Sequence, residues 1–272
     1  MTDDLKTLGI IGGGVMGEAL LSRILKSDTF SSQQIFVSDP QEARRDQLKE
    51  TYDIRVTADN GSVVAQSDIV LLAVKPQVFE RVVNALPAPP IPSSQLILSI
   101  LAGTPLSRLE AAFPEQPVVR AMPNTPATVG LGMTAIAPGH HASSEHMQQA
   151  STIFQAVGEV VEVPEYQMDA VTGLSGSGPG YVAVMIEALT DGGVAAGLPR
   201  AIASKLALQT VRGTAELLYQ TGMHPAELKD RVTSPGGTTI AGISRLEESA
   251  VRSGLIEAVR ASYRRSQELG QS

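Results

Sequence analysis

Short apolar runs alternate with longer amphipathic stretches through the first part of the chain. Leu5 to Ile11, Gln34 to Ser38, Ile54 to Thr57, Asp68 to Val74, Gln95 to Ile100, Val118 to Met122 and Thr134 to Ala137 are strand-sized and rich in Val, Ile and Leu. Between most of them lie helix-compatible segments such as Val15 to Lys26, Gln41 to Glu50 and Pro76 to Ala85. Strand, helix and strand in repetition predict parallel pairing by right-handed crossovers, with helices on both faces of the sheet. Ser143 to Gly158 predicts one more helix, and Glu159 to Val163 a last strand before Pro164. Beyond Pro164 the period changes, and helical stretches punctuated by Gly and Pro follow: Glu165 to Gly173, Pro179 to Ala196, Pro199 to Gln220, Pro225 to Val232, Gly237 to Glu248 and Val251 to Leu269. The pattern predicts an α/β domain over residues 1–164, a doubly wound and mostly parallel sheet, followed by an all-helical domain over 165–272.

One helix constrains the assembly. Tyr181 to Ala196 is apolar on nearly every face apart from Glu187 and Asp191, and a helix apolar all round needs burial all round. A helical domain of this size cannot easily enclose it, so an intertwined homo-oligomer is expected, with cover from the first domain as the alternative. Composition narrows the picture further. At 272 residues and 43% apolar, the chain can bury a full core. Cysteine is absent, which removes disulfides, thiolate metal sites and a cysteine nucleophile and fits a reducing cytoplasm. No apolar run approaches membrane-spanning length and the start lacks a signal-peptide pattern, so a soluble cytoplasmic protein is expected. The formal charge of −7 argues against a general nucleic-acid surface.

The first strand runs into Gly12, Gly14 and Gly17, in G-x-G-x-x-G spacing at the opening of a helix. That context is what dinucleotide binding requires: a tight turn, close approach of a pyrophosphate to the backbone, and close packing of helix on strand. The first domain is therefore expected to be Rossmann-like. Asp39, at the end of the second strand, stands where an acid commonly bonds a ribose 2′-hydroxyl and favours NAD(H). Arg44 and Arg45 open the next helix, and with Ser38 they have the chemistry to hold the 2′-phosphate of NADP(H). The alternative for the arginine pair is a solvated helix face, and the sequence leaves the choice of cofactor open. Val74, Lys75 and Ala102 follow the fourth and fifth strands and should floor the cofactor cleft, while Met122-Pro-Asn-Thr-Pro126 presents the Asn124 amide there on a rigid loop.

Other constellations fail as catalytic sites. His140, His141 and His146 lack metal-site spacing and read as surface residues; His224, before Pro225, reads as structural; no metal is expected. Gly173 to Gly180 does not form G-x-S-x-G, and a close backbone approach is the better reading. Glu187 and Asp191 share a helix face and are expected to pair with Lys205 or Arg200. Every candidate site thus lacks an obvious titrating group. Alcohol oxidation calls for a base, whereas an imine that arrives protonated accepts hydride directly, and its site has only to orient it.

The stretch "TSPGGTTIAGI", Thr233 to Ile243, ends in a predicted helix start, where bare backbone N–H groups point outward. Read alone, it is either an anion site or a Gly-rich turn with Thr capping the next helix. Together with "LLAVKPQ", "RAMPNTPA", "AVTGLSGSGPGYV", "DGGVAAGLPR" and "HPAELKDRVTSPGGTTIAGI", it resembles the delta-1-pyrroline-5-carboxylate reductase family along nearly the whole chain. The resemblance implies a Rossmann-like domain, an interlocked helical dimerisation domain, assembly into larger rings, and NAD(P)H-dependent reduction of 1-pyrroline-5-carboxylate to L-proline. It implies that the substrate carboxylate is held by the N–H groups of Gly237, Thr238 and Thr239, with Ser234 nearby and Gly236 keeping the approach clear. Thr239 is implied as the catalytic hydrogen-bonding residue. Gly12, Gly14, Val15, Met16, Gly17, Ser38, Asp39, Asn60, Val74, Lys75 and Ala102 are implied in cofactor binding. The rival readings are a β-hydroxyacid or prephenate-type dehydrogenase, which would want a catalytic Lys or His among the helices, and a regulatory protein that binds the dinucleotide without chemistry.

Overall fold

The computed structural model describes residues 6–86 and 92–270. Leu5, at the start of the first expected strand, lies outside them. The first unit comprises β1 (Leu8–Ile11), α1 (Val15–Lys26), β2 (Ile35–Ser38), α2 (Glu42–Tyr52), β3 (Arg55–Thr57), α3 (Asn60–Ala65), β4 (Ile69–Leu72), α4 (Phe79–Asn84), β5 (Leu96–Ser99), α5 (Leu106–Ala112), β6 (Val118–Met122), β7 (Gly132–Pro138), α6 (Ser144–Gln155) and β8 (Gly158–Glu162). The eight strands form one sheet in the order β3-β2-β1-β4-β5-β6-β7-β8. The order reverses beside β1, which pairs in parallel with both β2 and β4. Ligands of such sheets lie at the carboxyl ends of the strands flanking that reversal.

Alternation along the strands sorts their side chains into two apolar layers. Leu8, Ile10, Val37, Leu71, Leu98 and Val119 pack on Leu20, Leu21 and Ile24 of α1 and on Ile153 and Phe154 of α6. Ile11, Val70, Leu72, Ile97 and Val118 pack on Val63, Val64, Phe79, Leu106 and Leu109 from α3, α4 and α5. Each such side chain contributes on the order of 1.5–3 kcal/mol by leaving water, which is why the central strands read as continuous apolar runs.

One pairing departs from the expected parallel pattern. β7 runs antiparallel to β6, because the connection from Met122 to Gly132 holds a 3₁₀ turn, Thr125–Val129, instead of a crossover helix. The pairing of β7 with β8 across α6 is parallel again. The short helices α3 and α5 did not stand out in the pattern. α3 is set by Asp59, whose carboxylate accepts from the Gly61 and Ser62 amides at 3.0 and 3.2 Å.

The contacts divide the chain into residues 1–176 with 262–272, and residues 177–261. The segment after Pro164, including α7 (Met168–Val171) and a π-turn at Thr172–Gly176, therefore belongs with the sheet, although its helical composition set it apart in the sequence. Met168 is fully buried against the second apolar layer, and the Glu165 carboxylate lies 3.2 Å from the buried Arg120 guanidinium. Asp169 accepts from the Ser266 hydroxyl at 2.7 Å, which ties in the C-terminal segment.

The second unit holds α8 (Gly178–Ala195), α9 (Arg200–Thr221), α10 (Pro225–Arg231), α11 (Thr238–Glu248) and most of α12 (Val251–Gly270). α8 and α9 meet where Gly193 faces Ala203. Among the described residues of this unit, the deeply buried side chains are the small ones Thr190, Ala203 and Ala207. Val184 of α8 is 64% exposed and Leu206 of α9 53%. Asp191 pairs with Arg200 at 2.7 Å, one of the two partners expected for it. Among the described residues no helix is long and apolar enough to cross a membrane.

Candidate active site

The three glycines of the first loop serve different ends. Gly12 has φ +105°, and a Cβ there would sit 2.6 Å from the Ala73 carbonyl oxygen. A Cβ on Gly17 would sit 2.2 Å from the Gly12 carbonyl oxygen. The fold itself needs both. At Gly14 an added Cβ would meet nothing within 4 Å, so the chain has no internal use for a glycine there. Gly14 caps α1, whose first internal bond runs from Glu18 N–H to the Gly14 carbonyl at 2.8 Å. The N–H groups of Val15, Met16 and Gly17 are left without helical acceptors. Space beside Gly14 and three donors at a positive helix end fit a pyrophosphate.

The residues after β2 grip this loop. Asp39 Oδ2 accepts from the Gly13 amide at 3.1 Å and Oδ1 from the Gln41 amide at 2.9 Å. Each carboxylate oxygen keeps one acceptor position, enough for a ribose hydroxyl. Arg44 donates through Nε to the Gly13 carbonyl at 2.5 Å and through Nη2 to Glu18 Oε2 at 2.6 Å. Arg45 donates from Nη1 to the carbonyls of Asp39 and Pro40. The arginine pair is thus neither a solvated face nor a pair of unengaged cations. Tyr52 completes the network by donating to Glu18 Oε1 at 3.0 Å, and burial is the main cause that raises its phenol pKa. Ser38, itself buried, donates to Asn60 Oδ1 at 2.8 Å and fixes that amide at the end of β2.

Val74 is half-buried at the end of β4, Lys75 is exposed beside it, and Ala102 is exposed just past β5. Asn124 does not present a free amide. Its Oδ1 accepts from the Met133 N–H at 2.9 Å, and its Nδ2 donates to the Ser175 carbonyl and hydroxyl at 3.2 and 3.3 Å. The residue ties the loop after β6 to β7 and to the π-turn, a structural role that the sequence did not suggest. Gly176 gives the close approach foreseen in its segment, for a Cβ there would lie 2.7 Å from Met122 Cε. Sequence reasoning missed Glu18, Tyr52 and Ser175. The available signal for the first was an acid in the opening turn of α1, beside the arginine-rich start of α2 on the same face of the sheet.

The second candidate site lies in the other unit. Thr233 Oγ1 bonds the Lys229 carbonyl at 2.6 Å, Gly236 turns the chain with φ +67°, and Gly237 caps α11 without a side-chain bond. The Gly237 N–H donates to the Ser234 carbonyl at 3.0 Å. It is committed to the turn, and the set of three expected donors shifts by one residue. The first internal bond of α11 is Ala241 N–H to the Gly237 carbonyl, so Thr238, Thr239 and Ile240 carry the open N–H groups. Thr239 is half-buried, and the first turn of α11 carries no acid to oppose an anion. The histidines have other work: His146 closes the capping box of α6 with Ser143, and His224 caps α10 by accepting from the Ala226 N–H at 3.2 Å.

Comparison with known proteins shows the family of the chain. Residues 165–269 match a family model described as pyrroline-5-carboxylate reductase dimerisation, and residues 7–103 one described as NADP oxidoreductase, coenzyme F420-dependent. A pyrroline-5-carboxylate reductase of Synechocystis is 60% identical over 97% of this chain and 98% of its own. The chain belongs to the pyrroline-5-carboxylate reductase family. Solved reductases share the fold over their length. The Coxiella burnetii structure aligns with TM-score 0.89 at 31% identity, covering 99% of this chain and all of that one. The Plasmodium falciparum structure, with NADP bound, aligns with TM-score 0.87 at 32% identity over 97% and 98% of the two chains. Membership in the reductase family decides against the dehydrogenase reading. The matched dimerisation region carries the exposed apolar faces of α8 and α9, as a homo-oligomer requires.

Proposed function

We propose that this protein reduces 1-pyrroline-5-carboxylate to L-proline with NAD(P)H, in the last step of proline biosynthesis, and that it works in the cytoplasm as a homodimer able to build larger rings. The observation that carries this reading is the near-full-length relation to pyrroline-5-carboxylate reductases in a chain whose glycine loop is intact and open at Gly14. When bound, the reduced nicotinamide supplies a hydride to the imine carbon. Val15, Met16 and Gly17 hold the pyrophosphate by their amides, and Asp39 takes a ribose hydroxyl while it anchors Gly13. Val74, Lys75 and Ala102 line the cleft toward the nicotinamide.

The residues 165–272 serve as the substrate-binding and dimerisation region. The substrate is a small zwitterion, a carboxylate beside a protonated ring nitrogen. Its carboxylate suits the open N–H groups of Thr238, Thr239 and Ile240, with the Ser234 hydroxyl beside them. The Thr239 hydroxyl accepts a hydrogen bond from the ring N–H and holds the imine carbon in line for hydride. No residue has to remove a proton, because the imine arrives protonated and its carbon accepts the hydride directly. Loss of nicotinamide absorbance on adding pyrroline-5-carboxylate tests the proposal, with NADH and NADPH run side by side. Turnover with either supports it. Cofactor binding without turnover in the folded protein would leave the regulatory reading standing.

A further inference from the structure

Arg44 lies beside the glycine loop, where the 2′-phosphate of NADP(H) would bring two negative charges, yet its own charge is already answered by Glu18 and three of its five N–H groups are engaged. Nη2 makes a 2.6 Å bond to Glu18, Nη1 a 2.9 Å bond to Gln47, and Nε holds the Gly13 carbonyl. The Arg44 and Glu18 side chains are 18% and 27% exposed, so the pair is shielded from solvent screening more than a surface pair. Tyr52 holds the other oxygen of the same carboxylate and fixes its aim. Arg45 makes no ion pair among the described residues and spends one nitrogen on two carbonyls.

We infer that Glu18 sets the cofactor preference of this chain by withholding Arg44 from the 2′-phosphate; this rests on the reading that a nicotinamide dinucleotide occupies the glycine loop. Glu18 and Asp39 place two carboxylates around the loop, and Arg44 answers the first of them. Nη1 and Nη2 each keep one N–H, but a 2′-phosphate brought to them meets a guanidinium whose charge the Glu18 carboxylate already neutralises and a like charge beside it, so the contact gains little. Arg44 is then a positioning residue for Gly13, and discrimination between the two cofactors is weak. Without the Glu18 charge, the same guanidinium keeps its hold on Gly13 and turns Nη2 to the phosphate.

The test needs no turnover. Binding of 5′-AMP and of adenosine 2′,5′-bisphosphate is measured by calorimetry on the wild type, Glu18→Gln, Arg44→Met, the double variant and Glu42→Gln. Gln is isosteric with Glu and keeps an acceptor for Tyr52, so the fold is preserved. Glu42, an exposed acid of the first turn of α2 with no ion pair among the described residues, controls for charge alone. Glu18→Gln should tighten the bisphosphate about tenfold relative to 5′-AMP. The double variant should lose that gain, and Glu42→Gln should leave the ratio within about twofold of the wild type. An unchanged ratio in Glu18→Gln, an equal gain in Glu42→Gln, or a selective tenfold loss of bisphosphate binding in Arg44→Met would each overturn the inference. Failure of the wild type to bind either nucleotide would strike the dinucleotide reading itself, and this one with it.

Discussion

Gly14 and Gly17 look alike in the sequence, and the structure gives them opposite roles. Alanine at Gly17 places a Cβ 2.2 Å from the Gly12 carbonyl, so Gly17→Ala should lose about 1–3 kcal/mol in denaturant unfolding. Alanine at Gly14 meets no protein atom within 4 Å. Gly14→Ala should therefore keep its stability within about 0.5 kcal/mol while NAD(P)H affinity falls about tenfold or more. Fluorescence titration of the cofactor beside the unfolding curve separates the two. Undiminished affinity in Gly14→Ala would place the pyrophosphate elsewhere. Asp59 gives a second test at this scale. The Ser62 hydroxyl, and after it the Gly61 amide, hold its carboxyl below the usual carboxylate range. The folded form prefers the anion, so this contribution is complete above the unfolded value of roughly 3.9 and is lost as pH falls through the lower folded value. Thermal scans should show Asp59→Ala melting below the wild type near neutral pH, with the gap narrowing as acid protonates the wild-type carboxylate. A gap independent of pH would mean that the charge of Asp59 does not stabilise α3.

At the scale of elements, the sequence was legible wherever one physical rule dominated. β1, β2, β4 and β5 are buried on both faces and read as apolar runs. α3 and α5 were not legible, because six or seven residues carry too little periodicity to register. The reversal of β7 lay in the length of a loop, and the work of Asn124 lay in partners distant along the chain, Met133 and Ser175. The same limit applied to Arg44, whose charge was visible and whose neutralising partner Glu18 was not. The start of α11 was legible as a bare helix end, though not the spending of its Gly237 amide on Ser234. Since the open donors begin at Thr238, the proposed function has the backbone hold the carboxylate and the Thr239 hydroxyl meet the ring nitrogen. Thr239→Val keeps the N–H and loses the hydroxyl. Its kcat should fall about a hundredfold with NAD(P)H affinity unchanged, as steady-state kinetics and direct cofactor titration would show. Wild-type kcat would leave the orientation of the imine to the carboxylate site alone.

At the scale of the whole molecule, burial is uneven. The sheet unit encloses large side chains such as Phe79, Phe113 and Phe154, whereas the helical unit leaves Val184, Leu189, Leu206 and Leu208 more than half exposed. An apolar surface of that kind carries a cost in water that scales with its area, and a second copy of the same helices removes it. The nearly all-round apolar pattern of Tyr181 to Ala196 carries the same implication in the sequence alone, because Glu187 and Asp191 give it only one narrow charged strip to turn outward. A single charge on that surface should therefore act on assembly more than on the fold of the sheet unit. Val184→Asp and Leu206→Asp should each shift the protein toward monomer in light scattering after gel filtration. An isolated unpaired carboxylate buried at such an interface costs several kcal/mol, enough to change the mass at micromolar concentration. Cofactor affinity at the glycine loop should persist in those monomers, since every residue that grips Gly13 comes from the sheet unit. An unchanged mass in both variants would mean that the subunits meet through another surface, and the apolar faces of α8 and α9 would then need a different partner.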